Sequence, residues 1–171
     1  MAKLFLTGYM GSGKSTLGTT LASKMEYEFI DLDNFIVKEN HMSIPEIFST
    51  KGESEFRAME NNALKKILQK DDIVVACGGG TPCYYNNMEL MKNNGVTVYI
   101  KMSVDSLFSR LSVDKDQRPL IANKTDDELK AFIARQLEKR EDFYQQAQYV
   151  VKGKNLDVDE LASFVKEEVG L

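Results

Sequence analysis

The sequence predicts an α/β fold, a parallel sheet with helices on both faces, and three observations carry that prediction. Short apolar runs alternate with longer stretches of helical periodicity, the pattern of repeated strand–helix–strand units. The run Ile73-Val74-Val75-Ala76-Cys77 is continuous and β-rich, as a strand covered on both faces must be. Finally, Gly8-Tyr9-Met10-Gly11-Ser12-Gly13-Lys14-Ser15-Thr16 fits the P-loop pattern G-x-x-x-x-G-K-[ST] and lies between a strand-like and a helix-like stretch. In such a sheet, ligands bind at the carboxyl ends of the strands.

Each element has its own signal. Leu4-Phe5-Leu6 reads as a buried strand, and Leu17, Leu21 and Met25 recur every fourth residue on one helix face. Residues 27–30 form a second short strand, ending at Asp31-Leu32-Asp33. Ser43-Ile44-Pro45-Glu46 has capping-box spacing and starts a short helix through Phe48, broken at Lys51-Gly52. A longer helix over about 53–69 places Phe56, Met59, Ala63, Leu64, Ile67 and Leu68 on one face. The strand at 73–77 runs into Gly78-Gly79-Gly80, and a helix over roughly 84–92 stops near Asn93-Asn94-Gly95. The next strand is Val96–Lys101, and Ser103 caps the helix after it. Residues 112–124 are polar and irregular, with Pro119 inside. Thr125-Asp126-Asp127-Glu128 is a second capping box, opening a helix to about Gln146. Tyr149-Val150-Val151 is the last strand. Leu161, Phe164, Val165 and Val169 line a closing helix.

The 171 residues suffice for one domain with a real core, and a hydrophobic content of 43% marks a globular chain. A net charge of −4 gives no general attraction to nucleic acid or anionic membrane, so phosphate binding must be local. No stretch approaches the ~18 apolar residues of a membrane span, and the chain enters its first strand without a signal-peptide pattern. Cys77 and Cys83 make no disulfide framework, and His41 is the only histidine, so histidine catalysis and histidine metal sites have little support. The expectation is a reduced, cytoplasmic, monomeric enzyme with no nucleic-acid or membrane partner.

The P-loop glycines let backbone N–H groups turn inward on phosphates, at a helix N-terminus that favours anions. Lys14 is expected to reach the β/γ-phosphates and the Ser15 hydroxyl to ligate Mg²⁺. Asp31 and Asp33, two apart at a strand end, should point the same way. One can approach the metal through water while the other holds an acceptor hydroxyl; the alternative is a solvated turn before a helix. The third strand lacks the acid that many P-loop ATPases place there, and no glutamate is evidently placed to activate water. Both facts favour transfer to a bound acceptor over hydrolysis. Gly78-Gly79-Gly80 either admits a ligand to the backbone or is a flexible turn. Arg57 with Glu60 is a surface ion pair or an oriented guanidinium aimed at an anion. Arg140 serves its helix end or a ligand, and Arg118, beside Pro119, can close over phosphates. Phe48 and Phe56 are core residues or an apolar wall. Asn123-Lys124-Thr125-Asp126 matches a guanine-reading N-K-x-D pattern, but it follows no buried strand, and Thr125 is better used as a cap.

These residues resemble the shikimate kinases over nearly the whole chain. The resemblance rests on the P-loop, Asp31-x-Asp33, Phe56-Arg57-x-x-Glu60, Gly78-Gly79-Gly80, Arg118-Pro119-Leu120 and Arg140-x-x-x-Tyr144-x-x-Ala147. It implies a three-layer P-loop NTPase fold of the nucleoside-monophosphate-kinase type, with a five-stranded parallel sheet. The implied reaction is MgATP-dependent phosphorylation of the 3-hydroxyl of shikimate. Asp33 would hold the acceptor hydroxyls, with Arg57, Gly79 and Arg140 completing the site and the arginines taking the carboxylate. Residues 112–124 would be a lid carrying Arg118 to the phosphates, and Arg110 would pack near the adenine. Asp142 departs from the proline frequent at its position, which leaves Arg135 as the alternative to Arg140, and 152–155 matches too poorly to assign an adenine contact. Gluconate or nucleoside-monophosphate kinases of the same fold, and a non-catalytic ATP-binding switch, are the competing readings.

Overall fold

The computed structural model describes residues 2–169. Its strands are β1 (Lys3–Thr7), β2 (Glu28–Asp31), β3 (Ile73–Ala76), β4 (Val96–Lys101) and β5 (Tyr149–Lys152). They form one sheet in the order β2-β3-β1-β4-β5, with every neighbouring pair parallel. Helices α1 (Lys14–Met25), α2 (Leu32–Asn40), α3 (Ile44–Ile67), α4 (Asn87–Asn94), α5 (Val104–Val113), α6 (Asp126–Tyr144) and α7 (Val158–Val169) cross between and flank the strands.

Alternation along the strands sorts two cores onto opposite faces of the sheet. Phe5, Ile73, Val75 and Tyr99 join the larger cluster with Ile36, Leu64, Leu107 and Ile133 of α2, α3, α5 and α6. Leu4, Leu6, Val74, Val98 and Ile100 point the other way, into a cluster with Leu17, Leu21, Leu161 and Val165 of α1 and α7. A continuous apolar run is therefore what β3 needs, since all four of its residues are buried.

Helix starts follow their caps. Ser43 and Thr125 form complete capping boxes with Glu46 and Glu128, and Ser103 accepts from the Ser106 N–H. The break expected at Gly52 is a kink inside α3, with φ 84° and ψ 169°. Three expectations need correction. Asp33 does not end a strand but lies in the first turn of α2. The helix expected from Tyr84 begins at Asn87, after a 3₁₀ turn at Thr81–Cys83 that Pro82 favours. The irregular stretch at 112–124 opens inside α5 and contains a 3₁₀ turn at Lys115–Gln117.

Candidate active site

The P-loop leaves β1 at Gly8 and wraps into α1. A side chain at Gly8 would put its Cβ 2.8 Å from the Ile100 carbonyl oxygen, so only glycine passes here. Lys14 folds back over the loop, its Nζ donating to the carbonyls of Gly8 (2.7 Å) and Tyr9 (2.9 Å). Burial pulls the lysine pKa down to about 8, against the pull of the nearby Asp33 and Asp31 carboxylates. The Ser15 hydroxyl donates to Asp31 Oδ2 at 2.7 Å. Asp31 caps α2 with its other oxygen, which accepts from the Asn34 N–H at 3.1 Å. The two residues expected at the metal are thus in direct contact.

Asp33 sits one residue beyond Leu32 in α2, over the glycine loop after β3. A Cβ at Gly78 would lie 3.1 Å from each of Asp33 Oδ1, Glu60 Oε2 and Thr81 Oγ1. Burial, then the neighbouring Asp31 and Glu60 carboxylates, push the Asp33 carboxyl up to about 6, with Lys14 and Arg57 opposing. Arg57 is buried on α3 and donates through Nη1 to Glu60 Oε1 at 3.0 Å. Glu60 is fully buried, and its other oxygen accepts from the Thr81 hydroxyl at 2.6 Å. A Cβ at Gly80 would fall 2.6 Å from both terminal nitrogens of Arg57. Arg140 reaches the same loop: a Cβ at Gly79 would sit 3.1 Å from its Nη1. Its guanidinium lies 5.7 Å from the Tyr9 ring centroid. One turn later on α6, the buried Tyr144 hydroxyl donates to the Gly79 carbonyl at 2.5 Å. Arg135, the alternative to Arg140, is exposed, as is Asp142.

A cleft of about 570 Å³ joins these parts. Gly11, Gly13, Lys14, Ser15, Thr16, Asp31, Asp33, Gly78, Gly79, Arg110 and Arg118 line it. Arg57, Gly80 and Arg140 are not on this wall and adjoin it through the glycine loop. Ser12 is buried and lines a neighbouring cavity of about 380 Å³ with Thr16, Arg110, Gly153 and Asn155. Gly153 and Asn155 belong to the segment to which the sequence assigned no residue. Arg110 spans the two cavities and donates to the Gly11 carbonyl at 3.3 Å. The Arg118 Nε is buried without a hydrogen-bond partner among the described residues. On either side of Arg118, Val113 and Leu120 are 82% and 70% exposed. Cys77 also lines the cleft, where burial raises its thiol far above the reactive range.

Two contacts at the site were not legible: Thr81 was not singled out in the sequence, and Tyr144 appeared in a motif without a role. Thr81 and Tyr144 act through partners 21 and 65 residues away, and no local spacing announces either contact. Phe48 and Phe56 pack together at 4.7 Å, with Phe56 buried in the larger core. Thr125 is used as the cap of α6, which removes the guanine-reading alternative for 123–126. Among the described residues, no helix is long and apolar enough to cross a membrane.

Comparison with known proteins gives the family and the fold. The family model for shikimate kinase matches residues 10–169. The shikimate kinase of Bacteroides thetaiotaomicron is 46% identical over 157 residues, which cover 92% of this chain and 90% of that protein. A crystal structure of shikimate kinase from that organism superposes with a TM-score of 0.91 at 42% identity, covering 99% of both chains. Shikimate kinase from Acinetobacter baumannii in complex with shikimate superposes with a TM-score of 0.84 at 29% identity, covering 99% of this chain and 93% of the other. A match across nearly the whole chain, in sequence and in fold alike, places this protein in the shikimate kinase family.

Proposed function

We propose that this chain is an ATP-dependent kinase that transfers the γ-phosphoryl group to the 3-hydroxyl of shikimate, on the route to chorismate and the aromatic amino acids. The observation that carries the reading is one continuous cleft. It joins a phosphate loop, with Lys14 and Ser15–Asp31, to Asp33 and a glycine loop backed by two arginines. A small hydroxylated carboxylate fits that second half.

ATP lays its triphosphate on the loop from Gly11 to Thr16, where backbone N–H groups and the N-terminus of α1 favour anions. Lys14 exchanges two loop carbonyls for β/γ-phosphate oxygens. Arg110 borders the adenine side. Ser15 and Asp31 offer an oxygen pair suited to Mg²⁺. Among the described residues, no group of three or more His, Cys, Asp or Glu side chains could hold a metal ion, so Ser15 and Asp31 would hold Mg²⁺ only together with the bound nucleotide. When bound, the ion neutralises charge on the phosphate oxygens. Arg57 and Arg140 take the shikimate carboxylate, beside the backbone of residues 78–80. Asp33 orients the acceptor hydroxyl and accepts its proton late, since a largely dissociative transition state asks little of a base. Residues 112–124 form the lid. Closing it brings Arg118, whose Nε has no hydrogen-bond partner among the described residues, to the phosphates and keeps out water, which would otherwise compete for the phosphoryl group.

On this reading residues 1–171 form one kinase domain, a cytoplasmic monomer with no nucleic-acid or membrane partner. A coupled ADP-release assay with shikimate, gluconate, AMP or no acceptor tests the assignment. Shikimate alone should stimulate release. Release that ignores shikimate rejects the reading, and stimulation by gluconate or AMP transfers it to another kinase of this fold.

A further inference from the structure

We infer that Glu53 and Tyr84 form a displaceable clasp on Arg57, in which Glu53 holds the N–H group that the acceptor carboxylate takes on binding. The inference rests on the assignment of Arg57 to the acceptor carboxylate.

The guanidinium is held unequally. Its Nη1 is committed to Glu60, which cannot swing away because it is fully buried and tied to Thr81. Its Nη2 reaches Glu53 Oε1 at only 3.5 Å. Its Nε is buried with no hydrogen-bond partner among the described residues. Nε and Nη2 share one edge of the guanidinium, the edge that grips a carboxylate through two parallel bonds. In the free protein, therefore, one half of the edge best shaped for a carboxylate makes a long contact and the other half has no hydrogen-bond partner among the described residues.

Two features keep this arrangement in place and make it reversible. The Tyr84 ring covers the guanidinium, with its centroid 4.1 Å from Cζ, and its hydroxyl donates to the same Glu53 oxygen at 2.9 Å. The Glu53 side chain is 55% exposed, so it moves into water without desolvation of a charge. It also directly follows the kink at Gly52, where a Cβ would have nothing within 4 Å. An incoming carboxylate replaces one long contact with two charge-assisted bonds and gives the buried Nε its partner. A neutral polyol offers neither, and leaves the clasp shut. The pair therefore selects for anionic acceptors while holding acceptor affinity below its maximum.

The clasp is tested by steady-state kinetics with shikimate and ATP varied separately. Glu53→Gln should lower the shikimate KM about two- to fivefold, the range of an exposed ion pair, without a matching fall in the ATP KM. Tyr84→Phe, which keeps the ring and removes the hydroxyl, should lower the shikimate KM less. It should add nothing in the Glu53→Gln background, because the phenol acts through Glu53. A raised shikimate KM in Glu53→Gln overturns the clasp and makes Glu53 an aligning residue. Independent effects in the double variant overturn the coupling to Tyr84. Arg57→Ala separates this inference from the reading beneath it. If its shikimate KM does not rise, the role of Arg57 fails and the clasp with it. If it rises while Glu53→Gln brings no fall, the clasp alone fails.

Discussion

Asp33, the proposed acceptor-side carboxylate, shows how a residue placed for chemistry can work against stability. Its pKa is pushed up to about 6 by burial and by two neighbouring carboxylates. Between about pH 4 and 6 the folded protein keeps a proton that the unfolded chain has released, so stability falls as pH rises through that window. The loss is complete above pH 6 and is on the order of 2–3 kcal/mol. Asp33→Asn should therefore raise the melting temperature by several degrees at pH 7.5 and by little near pH 4, while nearly abolishing turnover and sparing ATP binding. Melts at the two pH values, with an activity assay alongside, check it; no gain at pH 7.5 contradicts the assigned burial cost. Gly80 is constrained by Arg57, proposed to bind the acceptor. A methyl group there meets both terminal nitrogens of Arg57 at 2.6 Å. Gly80→Ala should raise the shikimate KM by about tenfold, roughly 1.4 kcal/mol, and the ATP KM far less. Equal changes in the two constants would remove Arg57 from the acceptor side. Both residues were legible in the sequence, but strand alternation was the wrong reason for pairing Asp31 with Asp33. Asp31 caps the helix whose first turn holds Asp33, and that brings both to the cleft.

At the level of elements, beginnings were easier to read than ends. A cap is a local contact: Ser43, Ser103 and Thr125 each accept an N–H three residues on, Ser43 and Thr125 being visible as capping-box spacings and Ser103 as a capping residue type ahead of a helix. The strand Val96–Lys101 was likewise bounded by its own β-branched and apolar residues. The segment after the glycine loop was harder, because Pro82 first sets a 3₁₀ turn and the chain passes through a left-handed Tyr85 (φ 50°) before α4 begins. The kink in α3 is set by a single backbone conformation. Gly52 has positive φ and no atom near its missing side chain, so Gly52→Ala carries only a backbone penalty, about 1–2 kcal/mol. A fall of a few degrees in melting temperature is expected; an unchanged value would contradict the left-handed kink.

Across the whole molecule, convergence of the site follows from strand order. The P-loop leaves β1, the glycine loop leaves β3, and Asp31 ends β2, three adjacent strands in the sheet. That adjacency rests on pairings such as Lys3 with Ile73, which no window of sequence contains. The alternating pattern announced a parallel sheet, whereas the order of strands comes from packing two cores at once. The exposed pair in the proposed lid has a thermodynamic consequence. Val113 and Leu120 keep apolar surface in water beside Arg118. A segment that folds down over bound nucleotide removes that surface from water, and loss of hydrated apolar area lowers the heat capacity. Calorimetric titration with ATP at several temperatures should give a negative heat-capacity change that shrinks when both residues are replaced by serine. Identical slopes in the two proteins would place these side chains outside the closing surface. The strength of nucleotide binding should accordingly vary with temperature in a curved fashion, set in part by two side chains that touch no phosphate.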